Sequence, residues 1–238
     1  MREPGILAEC ADLVVPRTCA GCGEPAGGLC QPCRALFAGP VGRREAGAAR
    51  LVPADGGPAL IVWARAAYTG PARTAIAAWK RRGRADLTPV FAQCLAGIGR
   101  EVAPLAAGLG LTWLAVVPVP SRWVSTLRRG SPLTQALALG CAAGLRERGV
   151  EARVDGLLAR RMGSRDQVGL GGRARAANRE GATLVRRRAI AGSAALLVDD
   201  VVTTGASLLD AERALSRAGV GVLGAAVLAA TPPSSARR

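Results

Sequence analysis

One segment near the carboxyl end of the chain constrains the fold more than any other. It runs Ala194-Ala-Leu-Leu-Val-Asp-Asp-Val-Val-Thr-Thr-Gly-Ala-Ser207. Its first residues are apolar without alternation, which is typical of a strand buried on both faces of a parallel sheet. A helical pattern begins at Ser207, so the polar cluster between strand and helix is predicted at the carboxyl edge of the sheet. Open α/β sheets bind their ligands at that edge.

The residue types in this cluster suit a phosphate group next to a sugar. The first N–H groups of a helix lack intrahelical partners and carry partial positive charge, and Gly205 lets an anion approach the backbone closely. The carboxylates of Asp199 and Asp200 are poor phosphate ligands but good acceptors for the vicinal hydroxyls of a ribose. Further donors are the hydroxyl groups of Thr203, Thr204 and Ser207. A sugar phosphate is the ligand that this arrangement fits best.

Two other interpretations of the segment stay open. One is a buried strand that ends in a solvated turn, with the two acids as surface charges. The other is a Walker B strand, which also places acids after an apolar run. The second interpretation is weak because the chain contains no Gly-rich loop ending in Gly-Lys-Ser/Thr, and its sole lysine is Lys80.

Length and charge set outer bounds. The chain has 238 residues, enough for one large domain or for a core of about 130 residues plus a smaller unit. Its formal net charge is +15, and every basic residue except Lys80 is arginine. An electropositive face favours polyanionic ligands, either a pyrophosphate or a nucleic-acid backbone. A genome-wide preference for arginine explains the composition equally well, so charge alone decides little.

Four of the seven cysteines form two Cys-x-x-Cys pairs, Cys19–Cys22 and Cys30–Cys33, with seven residues between them. Two such pairs joined by a short loop predict a tetrahedral structural zinc site. Disulfides are the rival interpretation, which a reducing cytosol disfavours, and a redox role suits one pair better than two in tandem. Cys94 and Cys141 stand alone in helical patterns and are predicted to be buried as small hydrophobic residues.

No secretory signal is evident, because acidic residues interrupt the N-terminal stretch. The longest apolar run, residues 220–230, is too short to span a bilayer and predicts a buried strand. We therefore expect a cytoplasmic protein without a membrane span.

From residue 113 onward the hydrophobic pattern alternates between strand and helix. Strands are predicted at 60–68, 114–119, 157–159, 183–185 and 220–230, and the apolar run 194–198 is a further strand that leads to the two acids. Helices are predicted at 71–81, 87–107, 133–148, 172–178 and 207–218, while residues 39–58 are predicted to be a loop. This alternation indicates an α/β fold with a parallel sheet and helices on both faces.

The segment 194–207 resembles the phosphoribosyl-pyrophosphate (PRPP) motif of type I phosphoribosyltransferases over its full length. The resemblance implies that Asp199 and Asp200 hold the ribose 2′- and 3′-hydroxyls. It assigns the 5′-phosphate to the turn formed by Thr203, Thr204, Gly205, Ala206 and Ser207. It also implies the type I phosphoribosyltransferase fold, a parallel sheet with flanking helices.

Two further segments match elements of the same family. Val116-Val-Pro-Val-Pro-Ser-Arg122 ends a predicted strand at the place of a pyrophosphate-binding loop, which implicates Pro120, Ser121 and Arg122. Arg160 and Arg161 precede Asp166-Gln-Val-Gly-Leu170, which fits the mobile catalytic loop. With Asp199 and Asp200, these two arginines are the predicted catalytic residues. A rigid turn with solvated arginines explains any single residue of the first segment equally well, and the residues of the second are individually weak signals.

Taken together, the cysteine pairs, Lys80-Arg-Arg-Gly83 and the motifs above resemble the ComF/GntX group, which joins an N-terminal zinc knob to a phosphoribosyltransferase domain. That group is associated with competence for DNA uptake. The implied domains are a zinc knob (1–58), a helical hood (59–110), a phosphoribosyltransferase domain (111–230) and a disordered tail (231–238). Two features depart from the group: residues 129–135 lack its Arg-Gly-Phe-Asn-Gln pattern, and residues 36–58 lack further zinc-type cysteines.

The resemblance implies displacement of pyrophosphate from PRPP by a nitrogen nucleophile, with Mg²⁺ bound alongside PRPP. The chain has no histidine, so any base is a carboxylate or belongs to the substrate. Thr203 stands where the purine-salvage branch has an acid, which disfavours hypoxanthine or guanine as acceptor. Two alternatives are a non-catalytic PRPP or nucleotide sensor and a nucleic-acid-binding accessory of the DNA-uptake machinery. A homodimer is compatible with each of these three functions.

Overall fold

The computed structural model describes residues 18–51, 59–120, 132–160, 183–186 and 193–233. The strands are β1 (Gly42–Arg43), β2 (Val62–Ala67), β3 (Trp113–Pro118), β4 (Glu151–Val154), β5 (Leu158–Arg160), β6 (Thr183–Val185), β7 (Ala194–Val202) and β8 (Gly221–Ala230). The α-helices are α1 (Gln31–Ala35), α2 (Gly70–Arg81), α3 (Thr88–Gly108), α4 (Pro132–Arg146) and α5 (Ala206–Arg217).

Six of these strands form one sheet in the order β1-β2-β8-β7-β3-β4. The pairs from β2 to β4 are all parallel, and β1 joins the edge antiparallel to β2. Strands β5 and β6 form a separate antiparallel pair. The predicted mixed α/β fold with a mostly parallel sheet and flanking helices is confirmed.

Helices cover both faces of the sheet, which explains why its central strands are apolar on both sides. One face packs against α2, α3 and α4, and its large buried side chains include Ile76, Phe91, Leu95, Ile98, Leu137, Leu145 and Leu196. The other packs against α5, with Leu51, Val117, Leu197, Leu208 and Leu215 among its buried side chains. Burying each such side chain contributes about 1.5–3 kcal/mol.

The order of the strands creates a crevice between β3 and β7. From β3 the chain continues through α4 to β4 on one side, and from β7 it continues through α5 to β8 on the other side. Connections that diverge from neighbouring parallel strands leave an opening at their carboxyl ends, which is where α/β sheets bind ligands. Val119 and Pro120 after β3, and Thr203 to Gly205 after β7, lie at this edge of the sheet.

The cysteine-rich segment packs on the helices α2 and α3 that cover one face of the sheet. Cys19, Cys33 and Phe37 are buried in the same cluster as Trp79 and Phe91. The rings of Phe37 and Phe91 are 4.9 Å apart, edge to face. The segment 39–58, predicted to be a loop, instead contributes β1 and a 3₁₀ turn over Glu45–Gly47.

The helices α3 and α4 approach each other through small residues. A Cβ atom on Gly144 would lie 1.9 Å from the carbonyl oxygen of Ala96, and one on Gly140 would lie 2.2 Å from that of Ala92. Backbone atoms cannot yield without separating the helices, so these two glycines set the interhelical distance.

We expect Gly144→Ala to destabilise the protein by about 1–3 kcal/mol, because overpacking forces the two helices apart. For a chain of this length, 1 kcal/mol lowers the Tm by about 2–4 °C. Gly108→Ala is the matched control, since a Cβ there meets no atom within 4 Å and alanine is the better helix former. Thermal denaturation measures both variants, and equal Tm values for them would contradict this packing.

In the described part of the chain, none of the helices combines the length and apolar character that a bilayer crossing requires.

Candidate functional site

Strand β7 carries the two acids of the candidate site near its carboxyl end. It runs to Val202, so Asp199 and Asp200 lie inside the strand rather than directly after it, and Asp199 pairs with Val227 of β8. The polar turn Thr203–Thr204 follows at the carboxyl edge. The strand predicted from the apolar run 194–198 is therefore too short. Two carboxylates after a continuous apolar run are easily taken for the end of a buried strand.

Each carboxylate is oriented by the backbone next to it. The amide of Asp200 donates to Asp199 Oδ1, and the amide of Val201 donates to Asp200 Oδ1, both at 2.8 Å. Asp200 is 7% exposed, and its Oδ2 forms an ion pair with Lys80 Nζ. Lys80 lies in the last turn of α2, so one helix of the first face reaches the edge where β7 ends.

The pKa of the Asp199 carboxyl is raised well above its usual value. Burial contributes most, and the negative charge of Asp200 adds to it, while the charge of Lys80 acts in the opposite direction. Asp199 is half-buried, and a raised pKa means that its charged form is disfavoured there. The arrangement suits a polar ligand with hydroxyl donors, which would satisfy these oxygens without adding negative charge next to them.

The turn after β7 has the geometry of an anion-binding helix start. Gly205 adopts a left-handed conformation with φ of 81° and caps α5, whose first turn carries no acidic residue. The amide of Ala206 donates to Thr204 Oγ1 over 3.4 Å. Thr203, Thr204 and Ser207 are exposed to solvent. Exposed hydroxyl groups thus lie on both sides of Gly205 at the positive end of the helix.

Arg50 and Leu51, from early in the chain, contact this turn. The amide of Arg50 donates to the Thr204 carbonyl at 3.1 Å, and Leu51 is 1% exposed. A Cβ atom on Gly205 would lie 2.4 Å from Leu51 Cγ. Glycine is therefore required at position 205 both by its backbone angles and by this contact. The sequence offered no signal for Leu51, because its segment was predicted to be a loop.

The predicted pyrophosphate loop starts beside the acid pair. The amide of Val119 donates to the carbonyl of Val198 at 2.8 Å, which places Pro120 next to the carboxyl end of β7. Ser121 and Arg122 lie outside the described residues. Arg160 ends β5, opposite Thr183 of β6, and Arg161 with the predicted loop and helix over 161–182 also lies outside the described residues.

The four cysteines of the two Cys-x-x-Cys pairs lie close together. The sulfur atoms of Cys19, Cys22, Cys30 and Cys33, which we call the four-cysteine group, all lie within 4.8 Å of one another, and Cys22 Sγ is 3.6 Å from Cys30 Sγ. Four thiolates bound to zinc at about 2.3 Å in a tetrahedron are spaced at such distances. The predicted ligand set thus forms a group that could hold a metal ion such as zinc.

Backbone amides around this group stabilise the thiolate form of Cys19. Burial acts to raise the pKa of Cys19, but hydrogen bonds from backbone amides outweigh it and lower the pKa to about 6. Two of these donors are the amides of Gly21 at 3.4 Å and Cys30 at 3.3 Å. Burial and the neighbouring cysteines raise the pKa of Cys33. The group therefore holds protons that a bound cation would displace.

Cys94 and Cys141 lie elsewhere, in α3 and α4. Both are buried, and burial raises the pKa of each thiol to about 12. Thiols of this kind are unreactive at neutral pH. Their position in the core agrees with their predicted role as small hydrophobic residues.

The comparisons with known proteins do not assign a family: no protein-family model matches the chain, and neither does any curated protein.

Proposed function

We propose that the chain binds a ribose carrying a 5-phosphate, with the sugar hydroxyls on Asp199 and Asp200 and the phosphate on the turn 203–207. The observation that carries this proposal is the arrangement at the end of β7. Two oriented carboxylates come shortly before a left-handed glycine that opens a helix, with the hydroxyl groups of Thr203 and Thr204 before it and that of Ser207 after it. This combination lies beside the crevice between β3 and β7, where connections diverge.

The substrate we favour is PRPP, and the class of protein is a phosphoribosyltransferase of the ComF/GntX type. The residue pattern supports this choice, since acids for the ribose hydroxyls and a turn for the 5-phosphate leave C1 and its pyrophosphate free of these contacts. Mg²⁺ bound with PRPP would neutralise part of the charge on the leaving pyrophosphate. Holding the ribose at both ends fixes C1 in line with an incoming nitrogen nucleophile.

We further propose zinc as the metal of the four-cysteine group and the cytoplasm as the location of the protein. Four sulfur atoms within 4.8 Å of one another suit a closed structural site. A thiolate site of this kind is maintained in a reducing compartment, where paired cysteines more often bind metal than form disulfides.

Titration calorimetry tests the proposed ligand. With Mg²⁺ present, PRPP and ribose 5-phosphate should bind, and unphosphorylated ribose should not. The sugar 2,3-dideoxyribose 5-phosphate keeps the phosphate but lacks both hydroxyls, so it should bind at least tenfold more weakly, since a hydrogen bond to a charged group contributes about 1.5–3 kcal/mol. Equal affinity for the two sugar phosphates would show that the acid pair does not bind the sugar hydroxyls. No heat with any of them would contradict the proposal as a whole.

Release of pyrophosphate separates an enzyme from a sensor. The wild-type chain is incubated with PRPP, Mg²⁺ and candidate nitrogen acceptors, including ammonia, and pyrophosphate is quantified. A protein carrying both Asp199→Asn and Asp200→Asn is the control for contaminating activity. Release that depends on the acids indicates transfer, whereas tight binding without release indicates a sensor.

A further inference from the structure

Lys80 brings a single positive charge to the acid pair from a distant part of the sequence. It is the sole lysine of the chain, and it pairs with Asp200 Oδ2. Its side chain is 33% exposed, whereas that of Asp200 is 10% exposed. A partly buried ion pair of this kind restricts both side chains more than a surface pair does.

The two oxygens of Asp200 have different partners. Oδ1 accepts from the amide of Val201, and Oδ2 is held by Lys80. Both oxygens of the carboxylate are thus fixed. An ammonium group has three donors, so Lys80 can hold Asp200 and still contact a ligand.

The last turn of α2 is itself held firmly. Trp79, next to Lys80, is 2% exposed. Its Nε1 donates to Thr88 Oγ1 at 2.9 Å, and its ring lies 5.1 Å from that of Phe91. A few residues later, Arg84 donates to the carbonyls of Thr18 and Gly28 in the cysteine-rich segment. The position of Lys80 is therefore set by the core, and not by Asp200 alone.

The charge of Lys80 also has an electrostatic effect on the pair. Two adjacent carboxylates repel each other, and the pKa of Asp199 is raised by burial first and by Asp200 second. Lys80 opposes this rise. Without a nearby cation, the pKa of Asp199 would rise further, and protonation would remove part of the capacity of the pair to accept hydrogen bonds.

We propose that Lys80 is a positioning residue for sugar recognition: it orients the Asp200 carboxylate so that the pair accepts the vicinal hydroxyls of the ribose. This inference rests on the proposed binding of a 5-phosphorylated ribose. It adds that discrimination between a sugar with hydroxyls and one without them depends on a residue at the end of α2. The phosphate contacts, which come from the turn after β7, do not depend on it.

The test compares two ligands on two variants by calorimetry. In Lys80→Met, the Kd for ribose 5-phosphate should rise about tenfold, as expected for a weakened hydrogen bond to a charged group. The Kd for 2,3-dideoxyribose 5-phosphate should change less than twofold. Arg82→Met is the matched control, because it removes a positive charge just beyond the same helix, from an exposed side chain. It should leave the ratio of the two Kd values unchanged.

A merely structural role for Lys80 would weaken both ligands equally and leave the ratio unchanged, which would overturn the inference. The same holds if Arg82→Met changes the ratio as much as Lys80→Met does. If Lys80→Met does not fold, Lys80→Arg keeps the charge on a different geometry and should give an intermediate ratio, while an unaltered ratio again overturns the inference. If the wild-type protein does not distinguish the two sugars, the proposed function itself fails, and the role of Lys80 with it.

Discussion

Replacing Cys33 with serine should release the metal from the four-cysteine group and lower the thermal stability sharply. Cys33 is 4% exposed and belongs to the same buried cluster as Phe37 and Trp79. Structural zinc binds its four thiolates with about 10–16 kcal/mol in small zinc-binding peptides, so losing one ligand removes more free energy than a typical core substitution does. A folded chain has only about 5–15 kcal/mol of stability in total.

The measurement is the metal content of the purified protein together with its Tm. We expect about one zinc ion per wild-type chain, as in closed sites with four cysteine ligands, and far less in Cys33→Ser. Cys141→Ala is the control, because Cys141 is fully buried but lies in α4, away from the four-cysteine group. It should keep its metal and lose about 1–2 kcal/mol for the small cavity. Full metal content in Cys33→Ser would show that the four cysteines are not the ligands.

Asp199→Asn should weaken binding of ribose 5-phosphate and, at the same time, stabilise the protein without ligand. The loss of a charged acceptor should raise the Kd about 10- to 100-fold. The gain in stability has a separate cause: burial and the charge of Asp200 raise the pKa of Asp199 in the folded state. Ionising Asp199 at neutral pH therefore costs stability, and asparagine removes that cost.

The pH dependence of this gain follows from the direction of the shift. Below the ordinary aspartate pKa of about 4, the carboxyl is largely protonated in both the folded and the unfolded chain, and the substitution has little effect. As the pH rises, the unfolded chain loses the proton first, so the wild-type protein loses stability relative to Asp199→Asn until the raised pKa is passed. The difference in Tm between the two proteins should be larger at pH 8 than at pH 4.

Asp200→Asn is the matched comparison and should behave differently. It also weakens sugar binding, but it breaks the ion pair with Lys80, so it should not stabilise the protein as Asp199→Asn does. Thermal denaturation across pH and calorimetry with ribose 5-phosphate measure both effects. Equal changes in stability for the two variants at all pH values would contradict the claim that the two acids have different environments.

The parallel sheet was predictable because its strands are short, apolar and separated by helical patterns. Strand β7 begins at Ala194 as predicted, and Val62–Ala67 lies within the strand predicted at 60–68. Strand β4 was missed, because Glu151–Val154 has only four residues and alternates polar and apolar side chains at the sheet edge. Strand β1 was missed as well, since a two-residue strand leaves no periodicity in the sequence.

The four-cysteine group was predictable from spacing alone, whereas its packing was not. Two Cys-x-x-Cys pairs joined by a short loop favour a metal site over disulfides in a reducing compartment. That Cys19 and Cys33 are also part of the main core depends on Phe37 and Phe91 meeting, which no local pattern shows.

The residues that contact the acid pair and its turn were likewise not predictable from the sequence. Lys80 stood in a recognised Lys-x-x-Gly element without an assigned role, and its contact with Asp200 joins segments far apart in the chain. Leu51, which backs Gly205, lay in a predicted loop. Contacts of this kind depend on how helices and loops pack against the sheet, which no local sequence pattern specifies.

The most direct test is a crystal structure of the protein with ribose 5-phosphate. We expect the phosphate at the amides and hydroxyls of residues 203–207, and the 2′- and 3′-hydroxyls within hydrogen-bonding distance of the carboxylates of Asp199 and Asp200. A sugar phosphate bound elsewhere on the molecule, with this turn empty at saturating ligand, would contradict the assignment.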